Sequence, residues 1–424
     1  MTSDAQETRL GDHVGLQRGT TYKSALLDEP GPHLLGLASI ERNGGFRRDK
    51  LRTYGGASPD KLLLRPGDLY VSLKDVTQAG DLLGAVARVP DDIQVGRLTQ
   101  DTVKLEIDAR AVSAEYLYWL LRTPQYRDYC RAHSMGTTNL SLSRGDFLTF
   151  AVPPLTPSRQ LLLRALELLE QKVDSNRRLA GLLEQTAAAL FRARFVDFVG
   201  VEEFEESEVG RLPRGWNVAR IDELAELNAR SHTTRAHPDQ IRYIDISSVG
   251  SREIREITTL AFVDAPSRAR RIVRAGDTIV STVRPERRAM AFVHQAEPAL
   301  TASTGFAVVS PETAAATYLY RLVTSDACVD HLAAAATGSA YPAVNPSILA
   351  AWKVPVPPDR GQEYEEISRP LEAFRHALGA ESDVLVSIRD LLLPKLISGE
   401  VRVLDTHDAA EVIGLVADEL DAPA

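Results

Sequence analysis

The chain has 424 residues, a length that predicts two or more domains, and 44% of them are apolar and 25% charged, as in an ordinary soluble globular protein. The formal charge of −9 excludes a uniformly basic nucleic-acid binder, but residues 358–424 alone carry 15 acidic and 6 basic side chains, so the deficit sits at the C-terminal end. The rest is nearly balanced, and because charge is screened beyond roughly 10 Å a local basic face can still meet phosphate. Nothing in the opening MTSDAQETRL resembles a signal peptide, no apolar run is long enough to span a bilayer, and two cysteines are too few for a disulfide framework. A reduced, cytoplasmic protein is expected.

In chain order, residues 1–155 read as a domain of mixed short strands and helices. Gly67-Asp68 turns into an alternating strand with Leu69, Val71 and Leu73 on one side. Tyr116-Leu117-Tyr118 belongs to a helix, Gly136 opens a small-residue loop, and Val152-Pro153-Pro154 ends a strand, since proline cannot continue a ladder. Residues 156–211 hold a long helix, from about Pro157 to Phe198, and a linker; Thr156 is its N-cap, with proline at the first helical position. Residues 212–357 read as a second domain, 358–402 as a second long helix stopping near Ser398-Gly399, and 403–424 as an acidic tail to which no role is assigned.

The second domain repeats the first. Tyr116-Leu117-Tyr118 returns as Tyr318-Leu319-Tyr320, 202 residues later, and at that offset Gly136-Thr137 meets Gly338-Ser339, Phe150 meets Trp352, and Val152-Pro153 meets Val354-Pro355. Upstream, Gly67-Asp68-Leu69-Tyr70-Val71-Ser72 matches Gly276-Asp277-Thr278-Ile279-Val280-Ser281, where Ile279, Ser281 and Val283 form the alternating side. Arg9-Leu10-Gly11-Asp12 lies opposite Arg220-Ile221-Asp222-Glu223. Between these patches the copies diverge.

Both long helices carry a narrow seam in 4–3 spacing: Leu162, Leu166, Leu169, Val173, Asn176, Ala180, Leu183, Ala187 and Leu190, then Ile367, Leu371, Phe374, Leu378, Glu381, Leu385, Ile388 and Leu392. Such a seam predicts an antiparallel coiled-coil pair, the alternative being two surface helices each packed on its own domain. The fifth seam position is polar in both, so Asn176 and Glu381 are expected to meet and to fix the register of the pair.

The order domain, long helix, domain, long helix resembles the specificity subunit of Type I restriction–modification systems. Leu212-Pro213-Arg214-Gly215-Trp216-Asn217 with Ile221-Asp222-Glu223-Leu224 looks like that family's approach to its second recognition domain. The Gly-Asp strand elements, the glycine loops and the Val-Pro exits carry the rest, to about Arg402. Two departures stand out: Pro342 and Pro346 flank the second loop where the first copy has Leu140 and Arg144, and the acidic tail lies outside the pattern. The resemblance implies an α+β fold with two similar α/β target-recognition domains in tandem. It also implies a function: each domain reads one half of a split site in double-stranded DNA, the helices set the spacing, two methyltransferase subunits dock along them, and a motor–nuclease subunit joins for restriction. No cofactor is implied. The rival reading is a stand-alone, non-enzymatic regulator that binds a bipartite DNA site.

No catalytic constellation is legible: there is no phosphate-cradling glycine loop, no nucleophile elbow and no His-Glu-x-x-His. Asn345-Pro346-Ser347-Ile348 lacks the second proline and the aromatic residue of an adenine-methyltransferase motif. Cys130-x-x-His133 and Cys328-x-x-His331 have zinc-like spacing, but at the repeat offset Cys130 faces Leu332, so buried cysteines and ordinary histidines are expected, with no metal. The DNA-contact candidates are the basic clusters on the divergent parts. In the first copy these are Arg42, Arg47, Arg48, Lys50 and Arg52, with Lys74 after the Gly67 strand. The second copy offers Arg268, Arg270, Arg271 and Arg274, then Arg284, Arg287 and Arg288. Thr137, Thr138, Asn139, Ser339 and Tyr341 in the glycine loops are suited to base edges.

Overall fold

Thr8–Arg9, the first strand of the computed structural model, pairs antiparallel with Ala151–Val152, so the first domain is tied off by its own two ends just before the long helix begins. The structure describes residues 8–76, 79–137, 139–295, 297–338 and 342–398. It divides into two units, one built from the residues up to Asp174 and from Ser382 onward, the other from Ser175–Glu381. Each unit therefore takes one domain of the repeat together with part of each long helix.

In the first unit four strands lie antiparallel in the order Val14–Arg18, Thr102–Ile107, Leu69–Ser72, Val86–Arg88. A smaller sheet holds Gly96–Leu98 between His33–Leu35, which is parallel to it, and Leu63–Leu64, which is antiparallel. The strand after Gly67 departs from the expected alternation, because all four of its residues are buried. Leu69 and Val71 face a core containing Tyr116, Leu117, Trp119, Phe147 and the long-helix residues Leu162, Leu166 and Leu392. Tyr70 points the other way, into a core with Leu35, Ile40, Leu64 and Leu98. A strand covered on both faces has no wet side to demand a polar residue at every second place.

The second unit repeats this topology. Its central sheet runs Ala225–Leu227, Phe306–Pro311, Thr278–Ser281, Met290–Phe292, again antiparallel. The smaller sheet again contains a parallel pair, Gln240–Ile244 with Leu300–Ser303, flanked by Ala269–Ile272 and by an added strand, Thr258–Ala261. Asn217–Arg220 pairs with Lys353–Val356 and ties off this domain as the first was tied. The Gly-Asp turns match bond for bond. Gly67 and Gly276 both adopt positive φ, and Asp68 and Asp277 accept from the amides of Arg65 and Arg274 at 2.7 and 2.8 Å. Tyr116 and Tyr318 each donate a hydroxyl hydrogen to a carbonyl of the proline exit, Pro153 and Pro355.

The long helices are Pro157–Phe195 and Gln362–Ser398, of 39 and 37 residues. Thr156 caps the first, its hydroxyl accepting from the Arg159 amide at 3.3 Å. Within each unit the helices run antiparallel. In the first, Arg159 donates to the carbonyl of Ile397 and Leu162, Leu163 and Leu166 share a core with Leu392 and Leu393. In the second, Tyr364 donates to the carbonyl of Ala187, while Asn176 Nδ2 donates to Glu381 Oε2 at 2.7 Å. Asn176 is buried and Glu381 is not, so the contact lies at the margin of the pair and not inside it.

The expected seam needs correction in the second unit. Leu190, Ile367 and Phe374 are exposed, the latter two at 51% and 49%. The buried stripe of the second helix keeps Leu378 but otherwise runs through Tyr364, Ser368 and Glu372, and that of the first includes Phe191 and Phe195. These faces pack against the Tyr318 helix of the domain, through the rings of Phe191 and Phe195 on Tyr318 and through hydrogen bonds and ion pairs at Ser368 and Glu372. A stripe containing Ser368 and Glu372 does not register as hydrophobic periodicity.

Candidate nucleic-acid interface

Three loops meet beyond the same end of the central strand in each domain. In the first, Ser72 ends the strand and its hydroxyl closes a small turn, donating to the Lys74 carbonyl at 2.5 Å and accepting from the Lys74 amide at 3.1 Å. Ser281 does the same with Val283 in the second domain, at 2.8 and 3.3 Å. That side-chain turn is why a serine stands at the end of both copies of the motif. The segment it directs then pairs with the glycine loop: Lys74 lies opposite Ser141 and Asp75 opposite Leu140, on a hairpin whose other strand is Ser134–Met135. In the second domain Val283 bridges Ala343, and the Arg284 amide donates to the Pro342 carbonyl at 2.7 Å. The third loop is the turn Thr99–Thr102 or its equivalent at Gly305, whose carbonyl accepts from both the amide and the hydroxyl of Thr282 at 2.9 Å.

This arrangement joins residues that the sequence left separate. Lys74 stands beside the hairpin that carries exposed Thr137 and Asn139, and its ammonium is 3.3 Å from Asp101. Asp101 in turn lines a groove with Lys50, Arg52, Tyr22 and Gln100, so the carboxylate that pairs with Lys74 opens onto the same groove as Lys50. Gly136 turns the hairpin with φ +99°, and a Cβ there would stand 2.3 Å from the Asn139 carbonyl oxygen, so the tip admits no side chain at that position. Thr138, Ser339 and Tyr341 lie outside the described residues. The turn at Gln100-Asp101 and its counterpart at Thr304-Gly305 were missed by sequence reasoning; their only mark is a position just before the next central strand in both copies.

The basic residues differ in how free they are. Arg47 bonds Asp49, Arg48 bonds Asp92 and Arg52 bonds Asp28, each at 2.5 Å and on the surface, where such pairs contribute little and exchange easily for another anion. Arg42 is 3.8 Å from Asp81 and lines a different groove, with Arg127, Arg131 and Arg389. In the second domain Arg268 bonds Asp245 and Tyr243, and Arg270 lies over the ring of Phe262. Burial works against Asp245, but its bonds from Ser247, Arg268 and Tyr243 win and hold the carboxyl down at about 2. Arg284, Arg287 and Arg288 stand together in one turn; Arg288 reaches Asp326 at 2.5 Å.

Each domain is fixed to the helices by buried charge. In the first unit Glu170 accepts from Tyr118 at 2.8 Å, Arg122 at 2.6 Å and Arg88 at 2.7 Å, while Glu167 accepts from the Trp119 indole at 2.7 Å. In the second, Arg321 donates to Glu184 at 2.5 and 2.8 Å and also bonds Glu372, which accepts from Arg375 at 3.0 Å. Burial disfavours the Glu184 charge, yet Arg321, with Arg252 and Arg375, holds its carboxyl below the usual range. Glu170 and Glu372 stand 202 residues apart, at the repeat offset, a signal that the sequence carried and the reading passed over.

Cys130 and Cys328 lie in the cores of separate units, and burial pushes both thiols up, Cys328 to about 12. Among the described residues no cluster of three or more His, Cys, Asp or Glu is suited to a metal ion, and no helix is long and apolar enough to cross a membrane.

A domain made twice, each copy anchored on antiparallel helices and bringing three loops together beyond its central strand, defines a two-headed scaffold. No family model matches the chain. It is 21% identical over 311 residues to the Type I restriction enzyme MjaIX specificity subunit of Methanocaldococcus jannaschii, a match that covers 69% of this chain and 70% of the relative. The crystal structure of a Type I restriction–modification S subunit from M. genitalium matches 93% of this chain and 97% of its own, at 13% identity and a TM-score of 0.54. The resemblance read from the sequence is thereby borne out: the chain is a homologue of Type I restriction specificity subunits and has their fold.

Proposed function

We propose that this chain is the non-catalytic, DNA-reading subunit of a cytoplasmic Type I restriction–modification enzyme, with each domain reading one half of a split target. The observation that carries the reading is the matched convergence of three loops in two copies whose loop sequences differ. One frame with two different sets of tips is what two different half-sites require. The basic residues beside those tips, Lys50 and Lys74 in one copy and Arg284 to Arg288 in the other, supply phosphate contacts. Replacing residues 1–155 by the corresponding domain of another specificity subunit is expected to change one half of the methylated motif and leave the other intact. Mapping methylated bases across a host genome decides it; simultaneous change of both halves would contradict modular reading. Tight binding of a defined site by the chain alone, with no methylation linked to it, would favour the regulator.

Methyltransferase subunits dock on the helices in this reading. In the second unit Leu179, Leu182 and Leu190 of the first helix and Ile367 and Phe374 of the second are exposed. At about 100° per residue they lie on the flank away from Glu184 and Glu372, which face the domain. A run of exposed apolar side chains on a soluble protein marks a partner surface. Combining Leu182→Asp with Phe374→Asp is expected to abolish co-purification with the methyltransferase while leaving thermal stability nearly unchanged, since neither residue supports a core. Undiminished co-purification would move the docking surface elsewhere.

A further inference from the structure

The turn after the central strand of the second domain is held in an uncommon backbone shape. Arg284 has φ 50° and Arg288 φ 55°, so two residues that carry a Cβ sit in the left-handed region at the two ends of the short helical turn Pro285–Arg287. Such positions persist only where the surroundings determine them, and they gather at functional sites. Here the determinants are visible. The Arg284 amide bonds Pro342, the Arg287 amide bonds the Arg284 carbonyl at 2.9 Å, and the Arg288 amide bonds the Pro285 carbonyl at 2.9 Å. Pro285 is buried and the Arg288 guanidinium is tied to Asp326. The residue left at the crest is Arg287, which is exposed and has no carboxylate partner among the described residues.

A phosphate needs only nearby positive charge, which a mobile lysine supplies. Bidentate reading of a base edge gains from a guanidinium fork whose origin is fixed, and the fork's best match is the O6/N7 pair of guanine in the major groove. A strained, cross-braced turn that presents one free arginine fits the second task. We infer that Arg287 is a specificity-determining residue that reads a guanine in the half-site of the second domain. Arg288 positions the turn through Asp326. The inference rests on the DNA-reading function proposed above and names one contact within it.

The test is the methylated motif produced in a host without other methyltransferases by the complete complex carrying the native chain, Arg287→Lys, Arg287→Gln or Arg287→Ala, with thermal unfolding of each to verify folding. All three variants are expected to lose discrimination at one G·C position of one half-site by roughly ten- to a hundredfold, with the other half unchanged. Native behaviour of Arg287→Lys, together with a uniform loss of methylation in Arg287→Ala and a flatter salt dependence, would mean a phosphate contact and overturn the assignment. Motifs unchanged in every variant would overturn it as well. Absence of a split motif with the native chain would instead refute the DNA-reading function, and the inference with it.

Discussion

Replacing Arg321 by alanine is expected to destabilise the second unit by about 3 kcal/mol or more, as removal of one partner from a buried ion pair does. The Arg321 and Glu372 side chains are each only 2% exposed, and Arg321 also supplies both hydrogen bonds that Glu184 receives from the domain helix. Removing the guanidinium leaves two carboxylates facing each other, with Arg375 and Arg252 as the remaining cations. The double variant Arg321→Met, Glu372→Met is expected to recover most of the loss, because two apolar side chains of similar volume avoid the desolvation of both charges. Urea unfolding of the three proteins measures this. A single variant within about 0.5 kcal/mol of the parent would show that Arg375 and Arg252 suffice, and that Arg321 is not what anchors the domain.

Acidification from pH 7 to pH 5 is expected to cost roughly 2 kcal/mol of stability through His294 alone. This histidine stands at the end of a central-sheet strand, edge-on to His376 of the second helix at 4.7 Å and to Phe292 at 4.9 Å. Burial first, then the neighbouring His376 and Arg375, pull its pKa down to about 3. Tyr320 is the other titratable group in this layer, packed on Phe292. The unfolded chain protonates His294 near pH 6.5. Between the two values the unfolded state therefore holds the extra proton, so stability is full above about pH 6.5 and falls as pH drops. His294→Phe preserves the aromatic contacts and removes the titration. Its difference in unfolding free energy between pH 7 and pH 5 is expected to shrink by about 2 kcal/mol relative to the native chain. An unchanged difference would place the acid sensitivity in other groups.

Much of the architecture was open to reading in the residues. Gly67 and Gly276 announced the central strands because a turn with positive φ before a strand selects glycine, and Tyr116 and Tyr318 announced the domain helices through a repeated triplet. The long helices were visible in their spacing and in the Thr156-Pro157 start. The contact between Asn176 and Glu381 followed from the same counting. The seam failed at Ile367 and Phe374 for a physical reason: apolar spacing locates a greasy stripe, but whether it meets a partner helix, a domain or another chain depends on what else is packed there.

The candidate interface was legible only in pieces. Arg42, Arg47, Arg48 and Lys50 are neighbours in sequence, yet the fold sends Arg42 to one groove and Lys50 to another. Lys50 instead lines a groove with Asp101, the carboxylate that pairs with Lys74, a grouping set by the fold and not by spacing along the chain. The sequence by itself determined the duplication and the order of elements, because local turn chemistry and periodicity act over a few residues. Tertiary structure alone decided which loops converge, which arginines already have a carboxylate, and that Arg287 stands at the crest of a braced turn. Those outcomes depend on pairings between strands and helices far apart in the chain, and no local pattern encodes them.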